Sequence, residues 1–364
     1  MKPPIPDFDP IGLALPGPWL MALSYLTLTL HFVAMQFTVG GALVLLATWR
    51  RQHGIAKFFG TALPLGFSYL VTFGIPPLLF VQVVYGQFFY SSSVLIGAFW
   101  ISVIPLIILG YGASYWHRMS RESAPKYQLL LIAATTCVVL LVGYIYVNNF
   151  TLSMRPERWL SHYQAHPSGG ALNQGEPTLH ARYALFIVPA LFAAGLALVV
   201  RAGYLRNHGA TSEADVSYRY GIRSMFVAAA LQTIAAIGLA TTLPAPVKAA
   251  LFQPGALSTC AVGSAVLGVS ALAAAVLSRR RAGTGMPVLA AHLFVGAVAC
   301  LVVARDLVRQ IYLRPYFQLD RAPVIPQWGM AISFVLILVA GLVFLGVITK
   351  QMVSGLIKGQ PSAG

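Results

Sequence analysis

The sequence predicts an all-α polytopic membrane protein, a bundle of about nine transmembrane helices with the N-terminus outside and the C-terminus cytoplasmic. Three observations carry that expectation. Apolar residues make up 58% of the 364 positions and charged residues 9%, with a mean hydropathy of +0.75; so little charge cannot cover a soluble domain of this length. Apolar runs of about 20 residues or more recur along the whole chain, each long enough to cross roughly 30 Å of hydrocarbon. The basic residues are also distributed unevenly between the two sets of connecting loops.

Hydropathy places the spans at about 18–48, 60–89, 92–116, 127–149, 181–204, 221–244, 256–278, 286–312 and 329–356. Together they form one transmembrane domain, 18–356. The loops after spans 1, 3, 5 and 7, with the tail, hold 15 of the 24 basic residues, including Arg50, Arg51, Arg121, Arg280, Arg281 and Lys358. The other side holds nine, Lys2 among them, and this bias puts the N-terminus outside. Residues 1–17 are Pro-rich and lack a basic stretch followed by a short apolar core and a cleavage site, so they read as a retained periplasmic segment rather than a signal peptide. Residues 357–364 read as a cytoplasmic tail. The net charge of +15 sits in short loops between spans, which is topology and not a nucleic-acid footprint, and no nucleic-acid partner is expected. Cys137, Cys260 and Cys300 all fall within spans, without a CxxC or CxxCH pattern, so neither disulfide, zinc site nor covalently attached haem is signalled.

Two segments on the predicted outer side are unusual. The loop at 150–180, "TLSMRPERWLSHYQAHPSGGALNQGEPTLH", and the stretch "YLRPYFQLDRAPVIPQW" are rich in Pro and aromatic residues. Such segments cap a bundle or dock a partner, and a plain connector fits them as well.

Asp306, near the outer end of span 8, is the one acidic residue of nine expected outside loops and tails. Proton-coupled transporters bury carboxylates mid-membrane, so their absence here argues against that class. Five histidines (His53, His117, His162, His166, His208) fall in loops or at span ends and read as solvated or interfacial. His31 lies deep in span 1, His292 about seven residues into span 8, and His180 at the outer mouth of span 5. A membrane histidine either hydrogen-bonds a neighbouring carbonyl or ligates the iron of a b-type haem, and both readings stand for these three. Rough depth puts His31 and His292 both about 10 Å from the inner boundary, which allows them to pair. Gly40 and Gly41, further along span 1, allow close approach of either a macrocycle or another helix.

A polar cluster is expected at the outer face. Span 2 ends with Gln82, Tyr85 and Gln87, span 4 with Asn148 and Asn149, and span 8 with Arg305, Asp306, Arg309 and Gln310. Arg305 and Arg309, four residues apart, share a helix face. They suit haem propionates, or a quinone head group bound together with Gln82, Tyr85, Gln87 and Asp306, and they also fit snorkelling arginines in an aromatic belt.

Several of these stretches resemble subunit I of the cytochrome bd-type quinol oxidases. "LTLHFVAMQFTVGGALVLL" is similar to that family's first helix and "FFGTALPLGFSYLVTFGIPPLLFVQVVYGQFFYSSSVLIG" to its second helix and turn. "YIYVNNFTLSMRPERW" resembles the end of its fourth helix, "TLHARYALFIVPALFAAGLAL" its fifth, and "VSYRYGIRSMFVAAALQ" the start of its sixth. The resemblance covers spans 1 to 6 and implies that His31 and His180 are haem ligands; His292, outside the matched spans, is a reserve ligand on its own position in span 8. The chain departs from the family in three ways. Span 3, "SSSVLIGAFWISVIPLIILGYGASYWH", has no glutamate; the quinol-binding loop is reduced to "TLPAPVKAALFQPG"; and the methionine expected beyond it is missing from "ALSTCAVGSAVLG". Oxygen reduction is left without its residues.

What the resemblance implies is a membrane cytochrome b subunit in a bacterial inner membrane, carrying one or two haem b. It would act as a quinol dehydrogenase, exchanging electrons between the quinone pool and a periplasmic multihaem c-type cytochrome. A cofactor-free anchor subunit of a redox complex and a solute transporter are the competing expectations.

Overall fold

In the computed structural model of the chain, residues 5, 12–120, 125–279 and 283–358 are described, without side chains at 125 and beyond 348. The periplasmic segment and the tail expected at the two ends therefore lie mostly outside the described residues, as do Lys2, Arg121, Arg280 and Arg281. The described chain is helical, with one isolated bridge as its only β-pairing. Nine of its helices are long and apolar enough to cross a membrane: α1 (Gly17–Thr48), α2 (His53–Leu95), α3 (Gly97–Met119), α4 (Gln128–Ser153), α6 (Leu179–Asn207), α7 (Thr211–Thr242), α9 (Ala256–Leu277), α10 (Gly285–Leu313) and α11 (Trp328–Lys358). Two short helices, α5 (Trp159–Ala165) and α8 (Ala245–Phe252), fold the connectors after α4 and α7. We term the end at which α1 and α6 begin, the one expected to face outward, the upper end.

Every expected span is present, and the differences lie at the ends. α7 starts ten residues before its apolar run, because "TSEADVSYRY" carries Glu213 in the first turn, where the helix dipole favours a negative charge. α2 runs on through Pro64, Pro76 and Pro77. Prolines are tolerated in spans where neighbouring groups re-satisfy the freed carbonyls. Its regular geometry breaks only at Tyr85 (φ −128°, ψ 30°), whose side chain belongs to the polar cluster described below.

Contacts divide the chain into two compact units. The first contains Ala22–Gln318, and glycines set its helix pairs. A Cβ at Gly40 would lie 1.8 Å from the carbonyl oxygen of Ala190, so α1 and α6 touch backbone to backbone there. At Gly41 it would meet the Phe59 ring of α2 at 2.9 Å. Of the two uses open to this pair, helix packing is the one seen. Gly195 and Gly221 face each other in the same way across α6 and α7, each lacking the Cβ that would strike the other's carbonyl at 2.5 and 2.6 Å. α6 ends at a left-handed Gly209 (φ +79°), with Ala210 N–H reaching back to Leu205 O at 3.0 Å, a glycine C-cap that turns the chain into α7.

The second unit joins Asp7–Met21 to Leu319–Gly364, so far as they are described. Leu13 N–H donates to Pro323 O (2.7 Å), and Leu13 O accepts from Ile325 N–H (2.9 Å), around the Leu13–Val324 bridge. Trp19 and Trp328 meet edge to face at 6.5 Å.

Candidate functional site: a histidine and a buried carboxylate cluster

His31 sits on α1 against α2. Its Nδ1 lies 3.1 Å from the Leu70 carbonyl oxygen. That oxygen can only accept, so Nδ1 carries a proton, and in the neutral ring the lone pair is on Nε2. Gly74 makes the contact possible, since a Cβ there would stand 3.1 Å from His31 Cε1. His31 is half-buried, and Nε2 has no hydrogen-bond partner among the described residues. A histidine that donates Nδ1–H to a carbonyl and offers Nε2 is the arrangement by which imidazole is oriented toward a metal. Arg305 lies within electrostatic reach of the same ring.

The other two candidate ligands are placed differently. The Gly40–Ala190 contact sets α1 and α6 in register: His31 is nine residues before Gly40 and His180 ten before Ala190. At about 1.5 Å per residue the two histidines reach comparable depth. They nevertheless turn to different neighbours. His31 faces α2, whereas His180 is exposed and stacks on Tyr144 of α4 (6.3 Å, 17° between planes). His292 is exposed, and its Nδ1 bonds Val288 O of its own helix at 2.8 Å. It lies 14 residues from Asp306, whereas His31 lies six from Tyr25, which touches Asp306. The two rings are thus about 12 Å apart in depth, and the pairing of His31 with His292 is not made. No group of three or more His, Cys, Asp or Glu side chains gathers among the described residues. His31 could give a haem iron one imidazole nitrogen, and the described histidines bring no second imidazole against it. Among the remaining histidines, His117 departs from its expected solvated or interfacial setting: it is buried, packs on Trp49 at 5.3 Å, and occupies the space left by Gly60.

The polar cluster forms around Asp306 of α10, which is 2% exposed. Oδ1 accepts from Arg309 Nε at 3.0 Å and from Arg309 Nη2. Oδ2 accepts from Gln310 Nε2 (2.7 Å) and from the Tyr25 hydroxyl (2.8 Å), with Tyr85 Oη further off at 3.4 Å. Arg309 also lies over the Tyr85 ring, its Cζ 3.6 Å from the centre. Every strong acceptor position of the carboxylate is filled, so a charge that would be costly alone in a membrane is held by four donors. Arg305, four residues before Arg309, does not join this cluster. It lies over the face of Phe150 on α4 at 3.7 Å.

Tyr85 thus enters the cluster, whereas Gln82 and Gln87 are half-buried with no side-chain hydrogen bond among the described residues. Asn149 ties α4 to α2 through Ser92 (3.0 Å) and Ser93 (2.8 Å), a packing role. Tyr25 is the participant that sequence reasoning missed. Its one signal is its position six residues before His31, and nothing in an apolar helix says that its hydroxyl meets an aspartate 281 residues away. No protein-family model matches the chain, and no curated protein matches it significantly.

Proposed function

We propose that the chain is a membrane cytochrome b subunit of a respiratory complex, exchanging electrons between membrane quinol or quinone and a periplasmic multihaem c-type cytochrome. The observation that carries this is His31, a neutral imidazole tied at Nδ1 to Leu70 O, with an unpartnered Nε2 in a half-buried setting. Haem b bound there supplies reversible one-electron transfer. Arg305, with no carboxylate within ion-pair distance among the described residues, is the cation available to an anionic group beside His31. Arg309 is engaged with Asp306. Asp306, already saturated, holds Tyr25 and Tyr85 in place rather than acting as a free base. Gln82 and Gln87 keep amide donors free for the carbonyl oxygens of a quinone. His180, at matching depth on another face, would serve a second haem.

The cofactor-free anchor is the second reading. It is favoured by the absence of an imidazole opposite His31, and in it the His31–Leu70 bond joins α1 to α2 and nothing more.

Mixing the purified chain with a reduced menaquinol analogue and following visible absorbance tests the proposal. We expect a b-type α-band to rise on mixing, and Gln87→Leu to raise the quinol concentration needed for half-maximal rate without changing haem content. A haem band that quinol never reduces would overturn the assignment of substrate. A haem-replete preparation without the band would overturn the cytochrome.

A further inference from the structure

Next to the Asp306 cluster lies a second group of cations that balances differently. Phe150 of α4 and Tyr312 of α10 form its floor. Arg305 covers Phe150 at 3.7 Å, and the Arg182 guanidinium of α6 stands 5.9 Å from Phe150 and 5.7 Å from Tyr312. The Arg155 guanidinium also stands over Tyr312, at 5.5 Å. The nearby carboxylates are already committed: Glu157 pairs with Arg155 (3.3 Å), Glu176 with Arg155 and Arg158 (3.4 and 3.3 Å), and Asp306 with Arg309. Arg182 spends Nε on the Thr178 hydroxyl at 2.9 Å and has no carboxylate within ion-pair distance; neither has Arg305.

Arg182 Nη2 and Tyr312 Oη are moreover both buried; they interact with each other, but neither makes a well-formed hydrogen bond. Buried polar atoms without partners are rare and costly, and buried guanidiniums without a counter-charge more so. What the group offers is donors and positive charge: two guanidiniums with no carboxylate within ion-pair distance among the described residues, and a phenol. A neutral carbonyl would satisfy one donor and leave both charges unbalanced. A carboxylate or phosphate satisfies the donors and the charge together, and planar guanidiniums suit it. Arg182 is four residues into α6 and Tyr312 two from the end of α10, so the group lies at helix-end depth, where headgroups and water meet the hydrocarbon.

We propose that Arg182, Arg305 and Tyr312 form an oxyanion-binding site at the upper end, between α4, α6 and α10. Its ligand is a phosphate or carboxylate group presented from the membrane side, either the headgroup of an acidic lipid or the acidic side chains of a cofactor seated at His31. The site stands whether or not that cofactor is present.

The test uses the full chain in a neutral detergent, titrated with phosphatidylglycerol or phosphatidylcholine and read by native mass spectrometry and thermal unfolding, with haem content measured in parallel. With a lipid source, phosphatidylglycerol binds and stabilises the wild type and phosphatidylcholine does not. Arg182→Gln and Tyr312→Phe then weaken that binding by about tenfold or more, the loss expected of a charge-assisted hydrogen bond. With a cofactor source, the lipids act equally and the same variants lose haem. Tyr312→Phe removes one oxygen and guards against misfolding, and Arg182→Lys, which keeps the charge but not the planar fork, recovers only part of the binding. Unchanged lipid preference together with unchanged haem content in both Arg182→Gln and Tyr312→Phe would overturn the site, whatever the fate of the cytochrome proposal.

Discussion

From Ala34 to Leu45, α1 is buried except at Phe37 and Leu43, whereas from Ala22 to Val33 only Thr27 and Thr29 are buried. α6 changes in the same way. Pro189 to Val199 is buried except at Leu191 and Ala197, and the eight residues from Ala181 to Val188 are all half-buried. These are neighbouring helices, both apolar enough to span a membrane, yet their lower halves are sealed around Gly40 and Ala190 while their upper halves stand open. The chemistry follows the openness: Tyr25, His31, His180 and Arg182 all belong to the upper halves. Close packing of small residues, the usual way helices associate in lipid, holds the register below. The accessible faces above are where a bundle has room for a ligand.

Substitutions can break this contrast, the largest effect first. Gly40→Val drives a side chain into a backbone oxygen that no rotamer change relieves; we expect loss of the folded chain in detergent, beyond the ~1–3 kcal/mol usual for overpacking. Gly97→Ala, with nothing within 4 Å of its Cβ, is the control and should unfold at the wild-type temperature or above it. Asp306→Asn leaves Arg309 without its counter-charge and should cost about 3–5 kcal/mol in thermal or denaturant unfolding. An unchanged midpoint would show that the cluster is not held by its charge. Tyr25→Phe removes one good hydrogen bond and should cost about 1 kcal/mol, and Tyr85→Phe, at 3.4 Å, measurably less. The reverse order would mean that Tyr85 is the closer partner in solution. Smallest of all, His292→Ala should stay within about 0.5 kcal/mol of wild type and keep its haem, because the ring is exposed and bonds only its own helix. Loss of haem in that variant would restore His292 as a ligand.

The nine spans were legible in the sequence because a hydrocarbon layer demands long apolar runs, and each expected run is a helix. Their ends were less so. Polar turns such as "TSEADVSYRY" extend a helix past the apolar stretch, and the prolines of α2 do not stop it. In the site, the residue types near Asp306 were readable and their pairing was not. Four-residue spacing put Arg305 and Arg309 on one face, but Asp306 takes Arg309 and leaves Arg305 to Phe150. Arg182, Tyr25 and Tyr312 carry no sequence pattern that singles them out. Only the packing of α1, α4, α6 and α10 brings these side chains to their partners. His31 was visible from the start as an ionisable ring in an apolar helix, but its tautomer depends on Leu70 of another helix.

The central claim is that His31 presents Nε2 to haem iron, and haem stoichiometry is its most direct test. The reduced-minus-oxidised spectrum of the purified chain should be recorded for the wild type and for His31→Ala, with unfolding temperatures to confirm that both are folded. The account predicts a b-type α-band in the wild type and the loss of one haem per chain in the folded variant. A folded His31→Ala chain with its full complement of haem would contradict it.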